Sequence, residues 1–248
     1  MCRVSIPLTL GVPNRPDPQA LITDLLQQRC RSVGDLESRI VDVSSGPPVV
    51  AASTVASLPA GTDLGRIVID LDIDPEELQG TGGATYEVVR FHVNVDENTL
   101  ADAIGLRLPS PLVIFPDLAD ASAMDALTAI VEGHRTPGFD ASASPRRIAD
   151  VLAVVAHAEV GCVAKAADGG EVLSVLAATV AALRGDDIPR ALAGPDLHAL
   201  AGLRPEAAAA TRTVLLGIEV ADASSAHRDL AAAGLVRALS ANGGSATT

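Results

Sequence analysis

Short apolar runs alternate with amphipathic stretches along most of the chain, and this alternation is its strongest structural signal. Strands are predicted where β-branched and other apolar residues cluster, at residues 66–73, 86–95, 112–115, 160–164 and 213–220. Apolar residues at helical spacing follow, predicting helices over residues 98–106, 121–131, 144–155, 169–184 and 222–233. Such alternation is typical of parallel strands joined by crossover helices.

The ends of the chain extend this pattern. Residues 4–10 predict a first strand, and Asp17 followed by Pro18 predicts a helix whose buried stripe includes Leu25 and Leu26. Residues 133–143 predict a loop, and residues 241–248 predict a disordered tail.

About seven or eight strands in a chain of this length favour an α/β fold, a (β/α) barrel that is either regular or irregular and incomplete. The alternative is a doubly wound parallel sheet. We predict a single barrel-like domain over residues 1–240.

Charge and cysteine content narrow the classes of function. The formal net charge is −13, which disfavours binding to nucleic acid or to an anionic membrane surface. The three cysteines are widely spaced and form no Cys-x-x-Cys pair, so we expect neither a disulfide framework nor a thiolate metal site. The sequence predicts a cytoplasmic protein without a metal or cofactor. It leaves a small-molecule ligand and a homo-oligomer open.

Lys165 is the only lysine of the chain, and the other 17 basic residues are arginines. Unlike arginine, lysine can lose its proton when it is desolvated and can form an imine with a carbonyl compound. Lys165 follows the apolar run VGCVA, at the carboxyl end of a predicted strand, where active sites of parallel α/β folds form. The alternative is a lysine whose amino group extends from the strand end into water.

A row of polar residues follows the clearest alternating strand, residues 86–95. Tyr86, Arg90, His92 and Asn94 share one face by strict alternation, whereas central parallel strands are usually apolar on both faces. On the inside of a barrel, Arg90 would bind a carboxylate or phosphate and His92 would transfer protons. An edge strand with one solvated face explains the same pattern without a function.

Acidic residues at other predicted strand ends add weaker candidates. Asp117 and Glu219 lie where a site would be expected. Asp70, Asp72 and Asp74 are spaced to share one strand face, which would suit either a divalent cation or simple solvation.

Two resemblances bear on these residues. The stretch from His134-Arg135-Thr136-Pro137 to Leu176-Ala177-Ala178-Thr179 resembles type I dehydroquinate dehydratases, (β/α) barrels that use a histidine and a Schiff-base lysine. It covers less than a fifth of the chain. Aligning the Leu-Ala-Ala-Thr helix places the family's lysine nearer Cys162 than Lys165, its His-Asp-Phe motif is absent, and no Glu-Trp-Arg precedes Arg90.

Residues 58–235 are also similar to an uncharacterised group of bacterial barrel-like proteins. That group carries a lysine after an apolar strand, here VAKAAD around Lys165, and ends in a Gly-Leu segment, here AAAGLV. Its Gly-Leu-His-His segment after the lysine is missing, which would fit the loss of part of an ancestral site.

The leading functional hypothesis is therefore a lyase or aldolase-like enzyme acting on a small carbonyl acid. Lys165 would form the imine, His92 would move the proton, and Arg90 would hold the acid group. Further substrate contacts are expected from the polar or acidic residues Tyr86, Asn94, Asp117 and Glu219. The alternative is a non-catalytic barrel that serves as a binding or scaffold subunit.

Overall fold

The fold is a closed barrel of eight parallel strands with helices around it. The computed structural model describes residues 18–39, 41–78, 83–117 and 120–236. Each strand pairs with the next and the last pairs with the first, so the sheet closes. The strands are β1 Leu26–Cys30, β2 Val49–Ala51, β3 Asp63–Asp70, β4 Thr85–Val95, β5 Leu112–Pro116, β6 Thr136–Asp140, β7 Cys162–Ala166 and β8 Leu215–Val220.

Twelve helices lie within the described ranges. The helices are α1 Pro18–Ile22, α2 Val33–Ser38, α3 Ala52–Ala56, α4 Pro75–Leu78, α5 Leu100–Gly105, α6 Asp120–Glu132, α7 Pro145–Val155, α8 Gly169–Arg184, α9 Ile188–Ala193, α10 Leu197–Ala201, α11 Pro205–Val214 and α12 Ala223–Ala232. None of the helices in this part of the chain is long and apolar enough to cross a lipid bilayer. The predicted (β/α) barrel is confirmed, and the doubly wound sheet is excluded by closure.

Local sequence signals explain where the long helices begin and end. The Ser144 hydroxyl accepts a hydrogen bond from the Arg147 backbone N–H at 3.3 Å, and Pro145 follows it at the first helical position of α7. Asp168 caps α8 in the same way, and Gly185 ends that helix with a left-handed φ of 74°. These caps fix the loops that follow β6 and β7 and border the carboxyl ends of those strands.

The apolar core lies outside the barrel, between the strands and the helices. One large cluster joins α7, α8, α11 and α12 to the outward faces of β1, β7 and β8, and a second joins α3, α5 and α6 to β3, β4 and β5. Inside the barrel, the buried apolar cluster is small: Val113, Phe115 and Val163, with Leu216 packed against them. Polar side chains take up much of the remaining interior alongside the buried Val49 and Val68, whereas branched aliphatic residues fill the interior of most such barrels.

A β-bulge in β4 changes the face on which Tyr86 lies. Val88 pairs with Ile67, but Arg90 pairs with the next residue of β3, Val68, so Val89 is an extra residue. Tyr86 and Val88 consequently pack into the outer cluster with Ile67, while Arg90, His92 and Asn94 face the interior. The expectation that Tyr86 shares the face of Arg90 was therefore wrong, because strict alternation does not continue through a bulge.

Three strands were missed by the sequence prediction: β1, β2 and β6. β1 begins at Leu26, which was assigned to the first helix, and β6 occupies the predicted loop over residues 133–143. The predicted strand over residues 4–10 and the predicted tail over residues 241–248 lie outside the described residues.

Candidate functional site

Charged and polar side chains from five strands meet at the carboxyl end of the barrel. Arg29 of β1, Asp70 of β3, Asn94 of β4, Lys165 of β7 and Glu219 of β8 are linked there by hydrogen bonds and ion pairs. We call this group the mouth cluster. Because the carboxyl ends of parallel strands all point to one face of the barrel, residues far apart in sequence become neighbours here.

Lys165 is held by one amide and one aromatic ring. Its Nζ donates a hydrogen bond to Asn94 Oδ1 at 2.6 Å and lies 3.9 Å from the centre of the Phe115 ring. No described carboxylate forms a salt bridge with this amino group. Burial lowers the pKa of Lys165 below its ordinary value, and the charges of Glu219 and Asp70 oppose this only in part. The arrangement favours an amine that loses its proton more readily than a surface lysine does.

Gly138 of β6 makes room for the Phe115 ring. A Cβ at position 138 would lie 2.3 Å from a ring carbon of Phe115. Any other residue would therefore displace the ring on which Lys165 rests. The close approach accounts for a glycine in the middle of a short strand.

Glu219 lies at the centre of a buried charge cluster and is 3% exposed. It forms a two-nitrogen ion pair with the guanidinium group of Arg29, and its Oε2 lies 3.3 Å from Nδ1 of the fully buried His92. Burial alone would raise the pKa of Glu219, but the hydrogen bond to His92 and the charges of His92 and Arg29 hold it below its ordinary value. Glu219 is thus a carboxylate at neutral pH.

Burial keeps the His92 ring neutral at neutral pH. Burial lowers the pKa of His92, and the contribution of Glu219 in the opposite direction does not restore it. The ring packs edge-on against Phe115, with centroids 5.3 Å apart. His92 therefore contacts both Glu219, which lies in the charge cluster, and Phe115, whose ring packs against Lys165.

Asp70 connects Arg29 and Glu219 on one side of the mouth cluster with Asn94 and Lys165 on the other. Its carboxylate lies 3.7 Å from Arg29 Nη2 and accepts a long hydrogen bond from Asn94 Nδ2 at 3.5 Å. Burial raises the pKa of Asp70, and the charge of Arg29 opposes this. Through Asp70, the amide that holds Lys165 is tied to the charge cluster around Glu219.

A cavity of about 890 Å³ opens next to this cluster. It lies over the carboxyl ends of β4 to β7 and beside α6 and α7. We call it the mouth cavity. Its polar lining includes Asn94, Asp117, Asp140, Arg146 and Lys165, and Phe115 and Phe139 supply apolar surface. Its size suits a small organic ligand.

The predicted site residues divide into four groups. Lys165, Asn94 and Asp117 line the mouth cavity, and Glu219 and His92 lie beneath it without lining it. Arg90 lines a different cavity, at the amino ends of the strands. Tyr86 lies on the outer face of β4, as described above. The structure therefore does not bring Arg90 and Tyr86 to Lys165.

The three aspartates of β3 and the following loop do not share a site. β3 ends at Asp70, so Asp72 and Asp74 lie in the loop between β3 and α4 rather than on the strand. Asp72 accepts hydrogen bonds from the backbone N–H and hydroxyl of Ser53, and Asp74 accepts one from the Glu76 backbone N–H. In the part of the chain that the structure describes, no group of three or more His, Cys, Asp or Glu side chains is arranged to hold a metal ion.

Sequence reasoning missed four residues of the site: Arg29, Phe115, Asp140 and Arg146. Asp140 is the register partner of Lys165 on β6, in the segment predicted as a loop. Arg146 lies in the first turn of α7 and lines the mouth cavity. The Ser144-Pro145 cap was the one local signal in the sequence that could have placed this arginine near the carboxyl end of β6.

We compared the chain with known protein families, with curated proteins and with solved structures, and found no match in any of the three.

Proposed function

We propose that the mouth cavity is the active site of an imine-forming enzyme that acts on a small carbonyl acid. The observation that carries the proposal is the position of the Lys165 amino group. It lies in a cavity at the carboxyl end of the barrel, held by an amide and a ring and by no carboxylate ion pair among the described residues. Burial favours the neutral, nucleophilic amine at this position.

The proposed chemistry begins with attack of the Lys165 Nζ lone pair on the carbonyl carbon. The carbonyl oxygen takes one proton from Nζ and a second from solvent and leaves as water, so a protonated C=N bond to Nζ remains. The protonated imine then accepts the electron pair released when a bond to the adjacent carbon breaks. Asp140 and Asp117 line the cavity and are the groups placed to accept or return the proton of that carbon.

Arg146 takes the role that the sequence suggested for Arg90. It lines the mouth cavity at the first turn of α7, whereas Arg90 lines the cavity at the other end of the barrel. A guanidinium group forms two parallel hydrogen bonds with a carboxylate, which would orient the carbonyl of the acid toward Lys165. His92 acts as a positioning residue, because its contacts are with Glu219 and Phe115.

Borohydride trapping tests the proposal directly. The protein is incubated with pyruvate or glyoxylate, reduced with sodium borohydride and digested for peptide mass analysis. Because Lys165 is the only lysine, a reduced adduct on a lysine side chain identifies the residue without ambiguity. We expect the adduct on the peptide that contains Lys165, and none on that peptide in the Lys165→Arg variant.

Two comparisons sharpen this result. Arg146→Gln should raise the pyruvate concentration that gives half-maximal trapping by about tenfold, since a charge-assisted hydrogen bond contributes about 1.5–3 kcal/mol. Trapping of acetone, which has no acid group, should not change in this variant. Absence of an adduct with every carbonyl compound would refute the proposal and favour a non-catalytic binding barrel.

A further inference from the structure

A second cavity, of about 540 Å³, lies at the amino ends of the strands, opposite the mouth cavity. We call it the amino-end cavity. Among the described residues, Asp24 is the one carboxylate in its lining, and four arginines line it: Arg39, Arg66, Arg90 and Arg212. A local excess of positive charge is unexpected in a chain whose net charge is −13.

Three buried polar atoms of this lining have no hydrogen-bond partner among the described residues. They are Gln27 Oε1, Arg39 Nε and Arg90 Nη1. Gln27 is 1% exposed, and a flip of its terminal amide would present an N–H donor at the same place. Buried polar groups are nearly always hydrogen-bonded, so three such atoms around one cavity indicate that a polar group belongs there.

Burying the positive charges of Arg90 and Arg212 side by side costs free energy. Burial lowers the pKa of both guanidinium groups, and the charge of Arg90 contributes further to bringing the pKa of Arg212 to about 10. Backbone carbonyls of Leu215 and Thr23 accept hydrogen bonds from Arg212. Arg90 has no such anchor in the described structure, so its position is not explained by stability.

Departures from regular strand geometry shape the cavity. The bulge at Val89 in β4 and a second register shift in β8, at Leu216, both occur at this end of the barrel, and both residues line the cavity. Gly217 leaves space for Gln27, since a Cβ there would lie 2.8 Å from the Gln27 amide. Bulges are frequent beside functional sites, where they redirect side chains.

We infer that the amino-end cavity binds a small multivalent oxyanion, carrying phosphate or carboxylate groups, between Arg90 and Arg212. Guanidinium groups bind both kinds of anion through paired hydrogen bonds. An anion there would neutralise the two like charges and supply acceptors for Arg90 Nη1 and Arg39 Nε. This inference does not depend on the chemistry proposed for Lys165.

Thermal unfolding at constant ionic strength tests the inference, with pyrophosphate and citrate as probes against chloride. Binding to the folded state should raise the melting temperature along a saturating curve. A saturating response to pyrophosphate alone identifies phosphate as the ligand group, and a response to citrate alone identifies carboxylate. General salt effects rise without saturation and act on every variant alike.

Arg90→Met is the decisive variant. It should melt at a higher temperature than the wild type in chloride, because the repulsion with Arg212 is gone, and it should lose the saturating response to the probe anion. The exposed Arg190→Gln is the matched control and should keep that response. Arg212→Gln provides a second test should Arg90→Met fold poorly. The inference is overturned by a wild type that shows no saturating response, or by a response that survives both cavity substitutions.

Discussion

Replacing Glu219 by alanine is expected to lower the free energy of unfolding by about 3–5 kcal/mol. The substitution leaves the guanidinium group of Arg29 and the buried ring of His92 without the carboxylate that both contact. The desolvation of these groups is not recovered once the carboxylate is gone. Urea unfolding at neutral pH measures the loss as a lower midpoint with an unchanged slope.

Two control variants show whether the loss of stability in Glu219→Ala comes from the lost charge, from the lost side-chain shape or from the removal of any ion pair. Glu219→Gln keeps the shape and can still accept hydrogen bonds, so it should lose clearly less stability than the alanine variant. Glu87→Ala breaks the exposed ion pair with Arg66, at 3.7 Å, and should cost at most about 1 kcal/mol. A Glu219→Ala protein no less stable than Glu87→Ala would show that the buried cluster does not hold the barrel together.

Acidification is expected to destabilise the protein through His92, with a slope of up to about 1.4 kcal/mol per pH unit. Burial holds the pKa of His92 in the folded chain below its ordinary value of 6.5. As the pH falls below 6.5, the unfolded chain therefore binds this proton first, and the folded state loses stability until the folded pKa is reached. Glu219, whose folded pKa is also lowered, adds a further loss below its ordinary value of 4.5.

The pH dependence is measured by urea unfolding between about pH 5 and 7. In His92→Gln, which cannot titrate but can still donate a hydrogen bond to Glu219, the slope should become markedly flatter. His198→Gln, at an exposed histidine, should keep the wild-type slope. An unchanged slope in His92→Gln would mean that His92 is not held in its neutral form.

The fold was predictable because the signals for it are local. Apolar runs predicted five of the eight strands at least in part, and the Ser144-Pro145 pair predicted the start of α7 to within a residue. The barrel follows from the alternation of these elements. β1 and β6 were missed because they lack the usual strand signals, and β2 was missed because it is only three residues long.

β1 and β6 each have a physical reason for their unusual sequences. β1 reads LQQRC because Gln27 and Arg29 face a polar interior, and the neighbouring Leu25 and Leu26 fit a helical spacing. β6 reads TPGFD because the Phe115 ring requires Gly138, and a Pro-Gly pair is typical of a loop. Tertiary contacts override the local pattern in both strands.

The candidate site was predictable only in part. The single lysine at a strand end was a local signal, and the polar residues of β4 were another. The partnership of Lys165 with Asn94, Asp70 and Arg29 depends on strand register and on the bulge in β4, and neither can be derived from one stretch of sequence. The same bulge separates Tyr86 from Arg90 and Asn94, which strict alternation had placed on one face.

The proposed chemistry requires that the Lys165 amino group is held partly dehydrated in the mouth cavity. Nuclear magnetic resonance of protein made with isotope-labelled lysine tests it most directly, since a chain with one lysine gives one side-chain signal to follow through a pH titration. We expect a titration midpoint clearly below the ordinary lysine value of 10.5, and we expect it to move in Asn94→Ala and in Phe115→Leu. A midpoint at or above 10.5 that neither substitution moves would contradict it.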